Sequence, residues 1–172
     1  ANAMLLVQAA ASYQSASHSG RLVAGEFERG GGQRIGPRSM GQDEVPEASA
    51  GSWVNTHYRD RVRSLQLFRE AVGKSQNDGE LYRAWEVYSN FQQGEASGQA
   101  WKLQTLTPLE TLPEWGEPGP EGATEGAPWA KDGPVLYDVP ASWEAAKNDG
   151  ERWQFALAEK VRLRPDLADM VT

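Results

Sequence analysis

The chain has 172 residues, a formal net charge of −7, 24% charged and 39% hydrophobic residues, 18 glycines, 10 prolines and no cysteine. This length suits one domain with a sizeable core, and the glycine and proline content requires long irregular stretches. The acidic balance argues against nucleic acids and anionic membrane surfaces, which are bound through lysine and arginine, and the missing cysteine removes disulfides, thiol catalysis and zinc–thiolate sites.

The chain begins at Ala1 with Met4 inside, as a piece of a longer polypeptide would. Residues 1–16 are rich in alanine and leucine, and Met4, Val7, Ala11 and Leu5 mark one face of a helix. The apolar run at 3–11 is too short to span a bilayer. Residues 18–29 continue as a shorter helix with Leu22, Val23 and Phe27 on its apolar side, so that 1–29 forms a leading helix pair; Gly20 and Gly25 speak against it. The glycine-rich stretch that follows does not match a phosphate-binding loop. Gly31 and Gly36 lead into Pro37 where a Walker loop needs lysine, and the dinucleotide spacing puts Ile35 where glycine is required. Residues 30–52 therefore read as a flexible linker.

Residues 53–106 form the helical body. Tyr58, Val62, Leu65, Phe68, Arg69 and Val72 recur at three- and four-residue steps, and Gly73 stands where a C-terminal cap is expected. After the turn SQNDG, Asn77 or Asp78 caps a second helix, Glu80 completing a capping box if the cap is Asn77, and Leu81, Ala84, Trp85, Tyr88 and Phe91 form the buried stripe up to Gly94. A third helix from about Ala96 to Thr105 turns Ala96, Ala100, Leu103 and Trp101 inward. Residues 107–140 are an acidic insert rich in proline and glycine, unusually long for a loop. Its aromatic residues Trp115, Trp129 and Tyr137 have no core periodicity to explain them, which makes them candidate partner contacts. Residues 141–172 carry a long terminal helix packed on the body, capped by Ser142, with Trp143, Ala146, Gly150, Trp153, Leu157 and Val161 as its inner stripe. Gly150 leaves room for a neighbouring side chain such as a tryptophan. The rival reading breaks this helix at Asp149–Gly150, with Asp149 capping a second helix. The core is expected at Leu65, Phe68, Trp85, Tyr88, Trp143, Trp153 and Leu157.

No residue carries a recognisable catalytic, cofactor-binding or metal-binding motif. His18 and His57 have no partner at metal-ligand spacing, and Ser52 beside His57 lacks a nucleophile elbow. No cofactor is expected. Paired carboxylates for hydrolysis are set by spatial separation, which the sequence does not specify.

Four blocks taken in order, RLVAGEFERGGGQ, YRDRVRSLQLF, AWKLQTLTPLETLPEW and GAPWAKDGPVLYDVPASWEAAKNDGERWQFALAE, resemble the amino-terminal helical region of large bacterial alpha-2-macroglobulin-like proteins. That region is similar to tetratricopeptide helix pairs, and the likeness covers most of residues 3–165. It implies a mainly α fold of helical hairpins, or an irregular tetratricopeptide-like array, and a place in a cell-envelope or secreted protease trap. Such traps offer a bait region, and many capture the protease through a cysteine–glutamine thioester. This chain has no cysteine for one and no recognisable bait. The resemblance thus implies a non-catalytic scaffold that docks a protein partner or the remainder of a larger polypeptide, without nucleic acid and without direct membrane insertion. The alternative is a small carboxylate-dependent hydrolase with a cleft beneath the 107–140 insert.

Overall fold

The computed structural model describes residues 2–30, 51–96, 100–119, 129–130, 133–134 and 137–166, and of residues 100, 101, 129, 130, 133 and 134 only the backbone. It is mainly helical with a small three-stranded sheet. Helix α1 (Ala3–Ser15) starts where Asn2 Oδ1 accepts the Met4 N–H at 2.8 Å, and it buries Ala3, Leu6, Val7 and Ala10. The stripe is rotated from the expected one: Leu5 is 62% exposed and Ala10, not Ala11, lies innermost.

The expected second helix is a β-hairpin instead. Strands β1 (Ser19–Val23) and β2 (Glu26–Arg29) pair antiparallel through a two-residue loop, Ala24 and Gly25, whose φ angles of 49° and 85° suit the twist of a tight hairpin. The glycines that count against a helix are thus hairpin signals. Strand β3 (Ser52–Asn55) adds antiparallel to β1, giving the order β2-β1-β3, so the chain is already regular at the end of the expected linker. The linker's residues 31–50, with the GGG run, lie outside the described residues.

Helix α2 (His57–Lys74) and helix α3 (Asp78–Ala96) are joined by the turn 75–77. Gly73 and Gly94 lie inside these helices and do not end them. Asn77 Oδ1 accepts the Glu80 N–H at 3.0 Å, and the Glu80 carboxylate reaches back to the Gln76 N–H at 3.0 Å. Val62, Leu65, Phe68 and Ala71 of α2 meet Ala84, Trp85, Tyr88 and Phe91 of α3 in one cluster. Arg69 of the expected stripe is exposed. Tyr88 is the aromatic centre, edge-on to Phe68 and Trp85 at 5.9 Å and to Trp143 at 6.3 Å. Such pairs add to the gain from burial alone. In place of the third helix there is a short 3-10 turn, Ala100–Gln104, with Leu103 buried.

The rival reading of the C-terminal region holds for the break but not for the cap, which is Asn148 and not Asp149. A 3-10 turn, Trp143–Ala145, follows the Ser142 cap, the chain extends at Ala146, and helix α4 (Asp149–Leu163) starts afresh. Its cap is Asn148, whose Oδ1 accepts the Glu151 N–H at 2.8 Å while Glu151 returns to the Lys147 N–H at 2.7 Å. The tetrapeptide Asn-Asp-Gly-Glu therefore starts both α3 and α4. Restarting the helix changes its inner face. Ala156 and Arg152 are buried, whereas Trp153 and Leu157 are only partly buried and lie outside the main cluster. α4 packs on α3 and α1 on α2. Gly150 admits Tyr137 and no tryptophan: a Cβ there would overlap the Tyr137 ring. Strands β4 (Trp129–Ala130) and β5 (Gly133–Pro134) form a two-residue ladder.

Candidate functional site

α2 carries Asp60 and Arg61 side by side, and the two side chains anchor separate polar clusters. Arg61 reaches toward α3 and α4. Its guanidinium donates to Asp149 Oδ2 at 2.8 Å, Gln92 Oε1 at 3.1 Å and Glu95 Oε2 at 3.3 Å. Asp149, the first residue of α4, is 1% exposed. It also accepts from the Thr107 N–H at 3.2 Å, from the Thr107 hydroxyl in a very short bond, and from Arg152 Nη1 at 3.1 Å. The same Arg152 nitrogen donates to the Thr107 carbonyl at 2.8 Å. Two arginines and a threonine thus neutralise one buried carboxylate and tie the start of the insert to α2 and α4. Each oxygen of Asp149 takes two donors, which uses the accepting capacity of a carboxylate.

Asp60 is the mirror case toward the hairpin. Arg29 of β2 grips it with two bonds of 2.7 Å, Thr56 Oγ1 donates at 2.7 Å, and His18 Nδ1 lies 3.0 Å away. Burial alone would raise the Asp60 carboxyl, but the hydrogen bonds from Arg29, His18 and Thr56 together hold it below the ordinary carboxylate range. The Asp60 bond raises the Arg29 guanidinium in turn. His18 meets His57 edge-on at 4.9 Å, and His57 Nε2 lies 3.8 Å from Glu95. A continuous run of ionisable groups, Arg29, Asp60, His18, His57, Glu95, Arg61 and Asp149, crosses the molecule.

This run passes between two openings. A cleft of about 520 Å³ has His57, Arg61, Glu95, Lys102, Glu117 and Asp149 in its wall, and lies beneath residues 105–119. A smaller one of about 280 Å³ lies beside His18, His57 and Asp60. Among the described residues no cluster of three or more histidine, aspartate or glutamate side chains could hold a metal. The described carboxylates whose titration is displaced, Asp60, Glu70 and Asp166, all move down, and none has the raised pKa of a general acid. Ser52 stands at the start of β3 and His57 at the start of α2, and the side chains that His57 meets are His18 and Glu95.

Of the expected partner contacts, Trp115 is engaged within the molecule. It stacks on Phe27 at 4.4 Å, and the Arg59 guanidinium sits 4.0 Å above its ring, so the indole clasps the insert to the hairpin and α2. Arg59 also donates to the Pro113 carbonyl. Tyr137 is partly buried against Gly150, and its hydroxyl is pushed up to about 12 by burial and then by the charge of Asp149. Trp129 pairs through its backbone with Pro134, and its side chain lies outside the described residues. The most exposed described tryptophan is Trp53 of β3, at 56%, which no periodicity singled out. Sequence reasoning also missed Asp60, Thr107, Asp149 and Arg152. The repeated Asn-Asp-Gly-Glu marks a helix start at Asp149 but does not tell it from Asp78, which is exposed. No helix among the described residues is long and apolar enough to cross a membrane. Compared with protein-family models, curated proteins and solved structures, the chain finds no match in any of the three.

Proposed function

We propose that the chain is a non-catalytic helical scaffold segment, a tetratricopeptide-like arrangement of helix pairs within an alpha-2-macroglobulin-like protease-trapping protein of the cell envelope or secreted space. The observation that carries the non-catalytic part is the saturation of the Asp149 carboxylate. Each of its oxygens accepts two hydrogen bonds, while Asp60 has three contacts on Oδ2 and one on Oδ1 and is gripped by the Arg29 fork. A general base or nucleophile needs a free lone pair within reach of substrate, and Asp149 would first have to give up a donor. The partners of the two aspartates come from the hairpin and its approach, the insert and the helices α2 and α4, which is the pattern of a staple. The protease-trap part rests on the four resembling blocks, and the docking partner is a protein or the rest of a larger chain.

The test is a capture assay with trypsin on the parent polypeptide and on this chain alone. The expected result is that the parent blocks cleavage of a large protein substrate and spares a small peptide, while the isolated chain changes neither. The carboxylate-hydrolase reading draws on the cleft beneath residues 105–119, with Glu95 and Glu117 in its wall. Substrate turnover by the isolated chain, abolished by Glu117→Gln, would put that reading in place of the scaffold.

A further inference from the structure

The cleft of about 520 Å³ beneath residues 105–119 has charged groups of both signs in its wall that do not all pair with one another. Lys102 is the only basic residue between Arg83 and Lys131, and Glu110, Glu114 and Glu117 follow it. Its side chain is exposed and lines the cleft, yet its ammonium has no ion-pair or hydrogen-bond partner among the described residues. The acids of the same wall keep accepting capacity. Glu95 uses one oxygen, Oε2, for Arg61 at 3.3 Å and His57 at 3.8 Å. Glu117 uses its Oε2 for the Glu114 N–H at 2.9 Å. The other oxygen of each takes no donor among the described residues, and neither carboxylate reaches Lys102. Burial and then the charge of Glu117 raise the Tyr58 phenol, which places that carboxylate near the ring. Tyr58 and Pro118 add apolar surface, and Arg61 and Thr107 in the wall are locked on Asp149, so the cleft is preformed.

We propose that this cleft binds a small zwitterion with an apolar side chain, the chemistry shared by a free amino acid and a dipeptide. Its carboxylate takes the Lys102 ammonium, its own ammonium takes the unused oxygens of Glu95 and Glu117, and its side chain lies against Tyr58 and Pro118. Unlike charges that a cleft holds apart are bridged by a ligand carrying both, since each end then gains a charge-assisted hydrogen bond. A ligand with one charge leaves the opposite wall unserved. The volume falls within the range of small-molecule pockets. Binding of this kind breaks no bond, so it is compatible with the scaffold and separate from the hydrolase reading of the same cleft.

The experiment is a calorimetric titration of the full chain with leucine and with alanyl-leucine, each compared with its N-acetyl and its amide derivative. Leucine has no peptide bond to cleave, so its binding is read independently of turnover. At least one of the two zwitterions is expected to bind about tenfold more tightly than both of its blocked forms, the worth of one charge-assisted hydrogen bond. Whichever zwitterion binds more tightly reports the span between Lys102 and the acids. Lys102→Gln should remove the advantage over the amide and leave binding of the amide itself unchanged, while Lys102→Arg should retain it. Glu117→Gln should lower the advantage over the N-acetyl form. Lys102 is exposed and unpaired among the described residues, so its variants should fold as the parent does. The proposal is overturned if neither zwitterion binds more tightly than its blocked forms, or if the Lys102→Gln protein binds the zwitterion as the parent does.

Discussion

Asp60 and Asp149 show what a buried charge requires. Each is almost fully shielded from solvent, and each survives there because cations and hydrogen-bond donors surround it. Removing one partner of such a set leaves the others uncompensated, so Asp149→Ala should lower the unfolding free energy by about 3–5 kcal/mol, read from urea denaturation. Asp78 occupies the equivalent position in the first Asn-Asp-Gly-Glu and is exposed, so Asp78→Ala should change stability by about 0.5 kcal/mol or less. Asp60 makes stability depend on pH. Its folded pKa is lowered, so the unfolded chain takes up the proton first. The contribution is complete above the ordinary aspartate value of about 3.9 and is lost as pH falls through the folded value. Stability measured from pH 6 downward should therefore decline in the acid range, and Asp60→Asn should flatten that decline while starting from a less stable protein.

Among the elements, the two helix starts are the most local. Asn77 and Asn148 each accept a backbone N–H three residues on, so Asn77→Ala and Asn148→Ala should each cost about 1 kcal/mol. The second helix start carries a further constraint, because Gly150 is covered by Tyr137. Gly150→Ala should cost about 1–3 kcal/mol through overpacking despite the better helix propensity of alanine, and Tyr137→Ala should relieve part of that cost in the double variant. Gly25 has the opposite environment. Nothing lies within 4 Å of a Cβ built there, but its φ of 85° makes any side chain strained, which is why residues 18–29 turn back as a hairpin and do not continue as a helix.

The whole molecule is a helical core with a sheet and an insert stapled to it. Leu65 is fully buried in the cluster that α1, α2, α3 and α4 share, so Leu65→Ala should cost about 2–5 kcal/mol in a cooperative transition. Trp115 acts at the periphery. Replacing it with alanine should speed proteolysis within residues 107–119 and leave the midpoint of global unfolding little changed, since its contacts join the insert to the hairpin and not to the main cluster. The helical periods of α2 and α3 were legible because most of their contacts repeat along a single face, as Val62, Leu65 and Phe68 do. The Trp153 and Leu157 stripe was misleading, because it assumed an unbroken helix through Asn148. The sites were barely legible. His18 and His57 are 39 positions apart by their numbers and meet only because the strands return the chain to the start of α2.

By itself the sequence determined the features that close within a few residues: the Asn77-capped start of α3, the apolar faces of α2 and α3, and the absence of any cysteine for a thioester. Tertiary structure decided what the two copies of Asn-Asp-Gly-Glu become. Both cap a helix, because capping needs only the backbone of the next turn. One aspartate stays in water, while the other is buried against Arg61, 88 positions away in the chain. A buried carboxylate needs donors brought from distant elements, and no local pattern states which elements will meet.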